Sequence, residues 1–130
     1  MTEKLAIYRC RHCGTIVQVL VEGEGELICC GDLMKKMEMN ESETELYEKH
    51  IPIFEDVDDK TIIKVGAIPH PMSKEHHIEF IEALSEDKSW LKIKFLKHNE
   101  EPQMEIRKNC NTNCALEYCN IHGLYKGDRK

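Results

Sequence analysis

Ser89–Trp90–Leu91–Lys92–Ile93–Lys94–Phe95–Leu96 alternates apolar and basic side chains with a period of two, the repeat of a strand and not of a helix. Working outward, Ile51 to Phe54, Thr61 to Ile68 and Ile78 to Leu84 are short stretches of the same kind. Acidic or proline-containing turns separate them. No long amphipathic helix competes with these segments, so residues 38–130 are expected to form an antiparallel β-sandwich. Before them, Leu5 to Tyr8, Ile16 to Val21 and Leu27–Ile28 read as a small hairpin module over residues 1–37, with a Glu-Gly-Glu-Gly turn inside it. So few large apolar side chains cannot hold about 40 residues together unaided, and a metal staple is expected. Between Glu38 and Asp59 acidic residues dominate and Lys49 is the lone basic residue, which suits a polar linker and an exposed loop.

With 130 residues, 41% hydrophobic and 32% charged, the chain is neither disordered nor low-complexity and has room for a domain with a small module attached. A net charge of −6 argues against a general nucleic-acid binder, which needs a basic face for phosphates. Apolar runs fall short of the roughly 20 residues that span a bilayer, and the start Met-Thr-Glu-Lys has no apolar leader, so neither a membrane nor an export role is expected. Seven cysteines in such a chain point to metal or redox chemistry in a reducing compartment rather than to disulfides.

The cysteines fall at the two ends. Cys10-Arg11-His12-Cys13-Gly14 is a knuckle that can aim two thiolates at one ion, and Cys29-Cys30-Gly31 follows across a hairpin, giving four soft donors. Spacing leaves zinc and a single iron both open, and a purely structural zinc site is the plainer alternative. His12 is expected to be an exposed spacer. The second set is His50, His70, His76, Cys119 and His122; four imidazoles and one thiolate suit a redox-active metal with an open coordination position. His77 is expected to face away from this set, and His98 to lie exposed in a polar turn.

The segments YRCRHCG, ELICCGDLMKKM, EKHIP, VGAIPHPMSKEHHIEFIE and EYCNIHGLYK, in this order over nearly the whole chain, resemble desulfoferrodoxin, the two-iron class of superoxide reductase. The resemblance implies an all-β protein, a desulforedoxin-like module at residues 1–37 followed by an immunoglobulin-like sandwich at 38–130. It implies two irons per chain, one on Cys10, Cys13, Cys29 and Cys30, the other on His50, His70, His76 and His122 with Cys119 as axial ligand. By the same resemblance Glu48 matches a carboxylate that occupies the open position of the oxidised iron, and Lys49 matches the cation that draws in superoxide. A rubredoxin-like electron donor, a homodimer and a cytoplasmic setting are also implied. Cys110 and Cys114 fall outside the family's ligand set; a buried or idle thiol pair is expected, with a further cluster or a redox disulfide as the alternative.

Overall fold

The structure, a computed structural model, describes residues 2–40, 50–66, 70–108 and 112–129. The chain divides into two compact units, Met1–Glu38 and Met39–Lys130. In the first, β1 (Ile7–Arg9) is the centre of a three-stranded sheet, with β2 (Ile16–Gln18) on one side and β5 (Lys35–Lys36) on the other, both antiparallel. A separate ribbon pairs β3 (Ile28–Cys29) with β4 (Asp32–Leu33). The apolar cluster is small: Ala6, Tyr8 and Val19, with Val17, Leu27 and Met34 against them.

The second unit contains a five-stranded and a three-stranded sheet. The first runs in the order β10 (Leu91–Phe95), β9 (Ile78–Ser85), β12 (Thr112–Cys119), β13 (Gly123–Asp128) and β6 (Met39–Asn40). The second runs β11 (Gln103–Arg107), β8 (Lys60–Val65), β7 (Pro52–Val57). All pairings are antiparallel except that of β6, which lies parallel to β13 with the Asn40 Nδ2 donating to the Leu124 carbonyl at 2.9 Å. Ile63 and Val65 from β8 and Met104 and Ile106 from β11 interlock with Ile78, Ile81 and Ala83 from β9 and Ala115 and Cys119 from β12. Both sheets thus bury one face in a shared core, the all-β sandwich expected from the sequence. In this unit strands β6, β11, β12 and β13 are additions to the segments read from the sequence.

Two local features place the site. Cys119 and Gly123 are paired across β12 and β13, so Asn120, Ile121 and His122 form a three-residue hairpin loop closed by Gly123 at φ +91°. The loop brings a thiol and an imidazole to one end of the sandwich. Gly127 lets β13 approach the entry to β7, for a Cβ there would lie 2.3 Å from the Pro52 carbonyl oxygen. Close passage of Ile51 and Pro52 over β13 sets the position of the preceding His50, whose ring stacks on Tyr125 with centroids 4.5 Å apart and planes 15° from parallel. Among the described residues no helix is long and apolar enough to cross a membrane.

Candidate metal centres

In the first unit Cys10, Cys13, Cys29 and Cys30 place their sulfurs within 4.8 Å of one another. Residues Cys10 and Cys13 come from the turn between β1 and β2. The turn is closed by the Cys10 amide on the Thr15 carbonyl at 2.9 Å, and the Cys13 amide faces the Cys10 sulfur at 3.5 Å. The other two come from the β3–β4 ribbon, where Cys30 adopts a left-handed φ of 54°, unusual for a residue with a Cβ. This twist lets two neighbouring cysteines face the same point; their sulfurs are 4.0 Å apart. The Cys13 and Cys29 sulfurs are 3.6 Å apart. A tetrahedral ion with metal–sulfur bonds of about 2.3 Å spaces its sulfurs about 3.8 Å apart, so the group has the dimensions of one tetrahedral site.

Protonation tells the same story. The Thr15 hydroxyl, 3.1 Å from its sulfur, and other hydrogen bonds bring Cys13 down to about 6, whereas Cys29, bonded to Cys10 and Cys13, is pushed up to about 12. Hydrogen bonds, that of the Cys13 amide first, lower Cys10 as well, while Cys30, bonded to Cys13 and Cys10, is raised with Cys29, so two thiols favour the thiolate and the other two resist it until a cation neutralises the cluster. His12 lies outside the group, its Nε2 being 3.2 Å from Asp32, a carboxylate that Arg11 also holds.

In the second unit His50, His70, His76, Cys119 and His122 each offer one donor atom, all within 4.8 Å of one another. They arrive from the start of β7, the β8–β9 connection, the end of β12 and the β12–β13 loop. The His70 Nε2 lies 2.8 Å and the His122 Nδ1 3.2 Å from the His50 Nε2, and the Cys119 sulfur lies 3.8 Å from the His122 Nδ1. Metal–nitrogen bonds of about 2.1 Å put adjacent ligand nitrogens about 3.0 Å apart, close to these spacings. His70 Nδ1 is paired with the Pro71 carbonyl at 2.6 Å, which fixes its proton there and leaves Nε2 as the lone-pair donor.

Burial, assisted by the other imidazoles, brings His70 down to about 4. His76 is lowered for the same leading reason. Both rings are therefore neutral at pH 7, the form that ligates. The Nε2 of His76 is buried and has no hydrogen-bond partner among the described residues, a cost that a metal ion removes. Burial raises the Cys119 thiol, while the amides of His122 and Ile121 oppose the rise by bonding its sulfur. The donor set fits a metal ion on geometry, protonation and the orphaned nitrogen alike.

Glu48, Lys49 and Cys110 lie outside the described residues. Cys114 is half-buried on β12 and belongs to neither group. His98 is exposed. His77 points away from the second group, with Nδ1 3.0 Å from the Ser73 carbonyl and Nε2 2.9 Å from Glu79.

Sequence reasoning missed Glu117 and Tyr125. Glu117 shares its face of β12 with Cys119, is fully buried, and has no hydrogen-bond partner at either oxygen among the described residues; burial pushes its carboxyl well above the usual range. The one available signal was a carboxylate two residues before a ligand cysteine in a strand.

A thiolate-only group and an imidazole-rich group with one thiolate, each on its own β unit, define a two-centre metal-binding protein. The family model described as "Desulfoferrodoxin, N-terminal domain" matches residues 2–37, and that described as "Desulfoferrodoxin" matches residues 42–128. A desulfoferrodoxin of Desulfarculus baarsii is 42% identical over 128 residues, covering 98% of this chain and 99% of the relative. The chain belongs to the desulfoferrodoxin family. A superoxide reductase of Pyrococcus abyssi is 34% identical over 99 residues, covering 62% of this chain and 85% of its own. The crystal structure of the superoxide reductase from Treponema pallidum shares the fold with a TM-score of 0.74, at 21% identity, over 98% of this chain and 100% of that one.

Proposed function

We propose that this chain is a superoxide reductase, catalysing O₂•⁻ + e⁻ + 2H⁺ → H₂O₂. His50, His70, His76 and His122 with Cys119 hold the catalytic iron, and Cys10, Cys13, Cys29 and Cys30 hold a second iron. The two units correspond to a desulforedoxin-like module and a catalytic domain. The observation that carries this reading is the convergence of four imidazoles and one thiol, from positions 50 to 122, on donor atoms within 4.8 Å of one another. A zinc site closes with four ligands, whereas five donors leave one position of an octahedron for a small anion. Iron bound there would supply the one-electron reduction, with sulfur as the strongest electron donor among its ligands.

The chain's own residues do the rest. Neutral His70 and His76 present lone pairs at pH 7, and the stack of His50 on Tyr125 fixes one ring plane. The Ile121 and His122 amides at the Cys119 sulfur stabilise it as a thiolate. In a protein of net charge −6 an anionic substrate needs a local positive field, and the Lys49 ammonium supplies it and orders the water that delivers protons. Glu48 is the replaceable carboxylate of the resting site. The electron returns from a rubredoxin-like donor, and the chain works as a homodimer in the cytoplasm.

Pulse radiolysis of the ferrous protein tests this reading. One superoxide should oxidise one second-centre iron in a second-order reaction, with the sulfur-to-iron absorption appearing in step. A second centre that stays ferrous under superoxide would overturn it.

A further inference from the structure

Asn120 follows Cys119 in the loop that carries His122, and both polar atoms of its side chain are engaged by the backbone around His76. Its Oδ1 accepts the amide of His77 at 2.9 Å, its Nδ2 donates to the Glu75 carbonyl at 2.9 Å, and its own amide donates to the His77 carbonyl at 3.2 Å. These three bonds grip the chain on both sides of His76. They follow the register shift of the β9–β12 ladder between Tyr118 and Cys119, so the side-chain amide extends the pairing past its last backbone pair, Cys119 with Ile78. An amide is the group that does this, since it carries an acceptor for an N–H and a donor for a C=O in one plane.

The gripped turn is itself closed. The Ser73 amide donates to the His76 carbonyl at 3.0 Å, its hydroxyl accepts the His76 amide at 3.1 Å, and the His77 ring holds the Ser73 carbonyl. The turn is thus bonded to itself, and Asn120 links it to the loop that carries Cys119 and His122. Among the described residues the Nε2 of His76 has no hydrogen bond of its own, so its aim depends on where this backbone is held.

We propose that Asn120 is a positioning residue of the second centre: its side-chain amide sets His76 relative to Cys119 and His122, and so sets the affinity and ligand field of that centre. This rests on the metal reading above. Groups that orient metal ligands are typically worth about 10–100-fold in affinity. Asn120→Ala removes both side-chain bonds. Asn120→Asp keeps the acceptor for His77 but sets a carboxylate oxygen against the Glu75 carbonyl.

The test is Co²⁺ titration of the full-length metal-free protein. Sulfur-only tetrahedral cobalt and nitrogen-rich cobalt absorb at different energies and intensities, so the two groups are read separately. Asn120→Ala should weaken cobalt binding at the His/Cys group by about 10–100-fold and shift its thiolate-to-cobalt band, leaving the four-cysteine spectrum unchanged. Asn120→Asp should fall between Asn120→Ala and the parent. The control is Asp87→Ala, which removes three hydrogen bonds, to the Ser85 hydroxyl and to the Ser89 amide and hydroxyl, from the β9–β10 turn at the other end of β9. It should cost stability but leave affinity and band alone. In the metal-free protein, Asn120→Ala should also speed exchange of the His77 amide. Affinity and band equal to the parent in Asn120→Ala, or an equal loss in Asp87→Ala, would overturn the inference while leaving the metal reading in place. A parent that binds cobalt only at the cysteines would overturn the metal reading and this inference with it.

Discussion

The two donor groups are built by opposite means. Cys10 and Cys13 share one turn and Cys29 and Cys30 are neighbours on a ribbon of two-residue strands; Cys13 and Cys30 are exposed. His50 and His122, by contrast, are far apart in sequence and meet only because eight strands form a sandwich beneath them, with His50 1% and Cys119 0% exposed. The first group is local and open, formed by backbone turns around a point. The second is delivered by a packed scaffold, which fixes the rings and shields the sulfur before any metal arrives. An open thiolate cluster suits electron exchange through its surface, and a buried nitrogen-rich group with a spare position suits chemistry on a bound anion.

If that contrast is right, the largest effect belongs to the buried sulfur. Cys119→Ser should nearly abolish superoxide reduction and remove the sulfur-to-iron band of the second centre, with the first centre's spectrum untouched; visible absorption and pulse radiolysis read both. A retained band would assign the sulfur ligand elsewhere.

Cys13→Ser should bleach the first centre and loosen Met1–Glu38, seen as lost amide-exchange protection, while the second unit still reduces superoxide. The small apolar cluster around Tyr8 cannot hold the first unit without its staple. Lost reduction with an intact second-centre iron would show the units to be interdependent.

A smaller effect is expected at Lys49. Lys49→Ala should slow the second-order reaction at low salt by about tenfold and flatten its ionic-strength dependence, since steering effects span about 10–10³ and are screened by salt. Equal rates and equal salt slopes would remove Lys49 from the mechanism.

The smallest lies in the scaffold alone. The Thr61 hydroxyl, joined by the Arg129 guanidinium, holds the Asp56 carboxyl below the usual range. A lowered folded-state value means stabilisation that is present above the unfolded value and lost as the pH falls through the folded one. Asp56→Ala should thus lower the melting temperature slightly at neutral pH, with the gap closing in acid, and leave both metal spectra unchanged. A gap independent of pH would assign the effect to packing.

Both donor groups were legible in the sequence because metal chemistry restricts residue type so strongly that cysteines and histidines stand out against any background. The strand character of Leu91–Phe95 was legible for the same kind of reason, but its orientation was not. Lys92 and Lys94 sit opposite Ala83 and Ile81, on the core side of the sheet, and reach across to donate to the Glu105 and Gln103 carbonyls on the edge strand β11. Alternation gives the period, and the partner strand decides the face. β11 and β12 hid because Met104 and Ile106 are the only large apolar residues of one, and because Glu117 in the other looks like a surface residue while being fully buried. Asn120 was invisible for a further reason. Its role consists of bonds to the backbone of residues 75 and 77, which no side-chain pattern announces.

On the proposed reading, the second centre reduces superoxide without oxidising it. The products formed when the ferrous protein, kept reduced by an electron donor, is supplied with superoxide under anaerobic conditions test this most directly. A reductase should yield one hydrogen peroxide for each superoxide consumed and no dioxygen. Dismutation would contradict this reading, giving half as much peroxide and an equal amount of dioxygen.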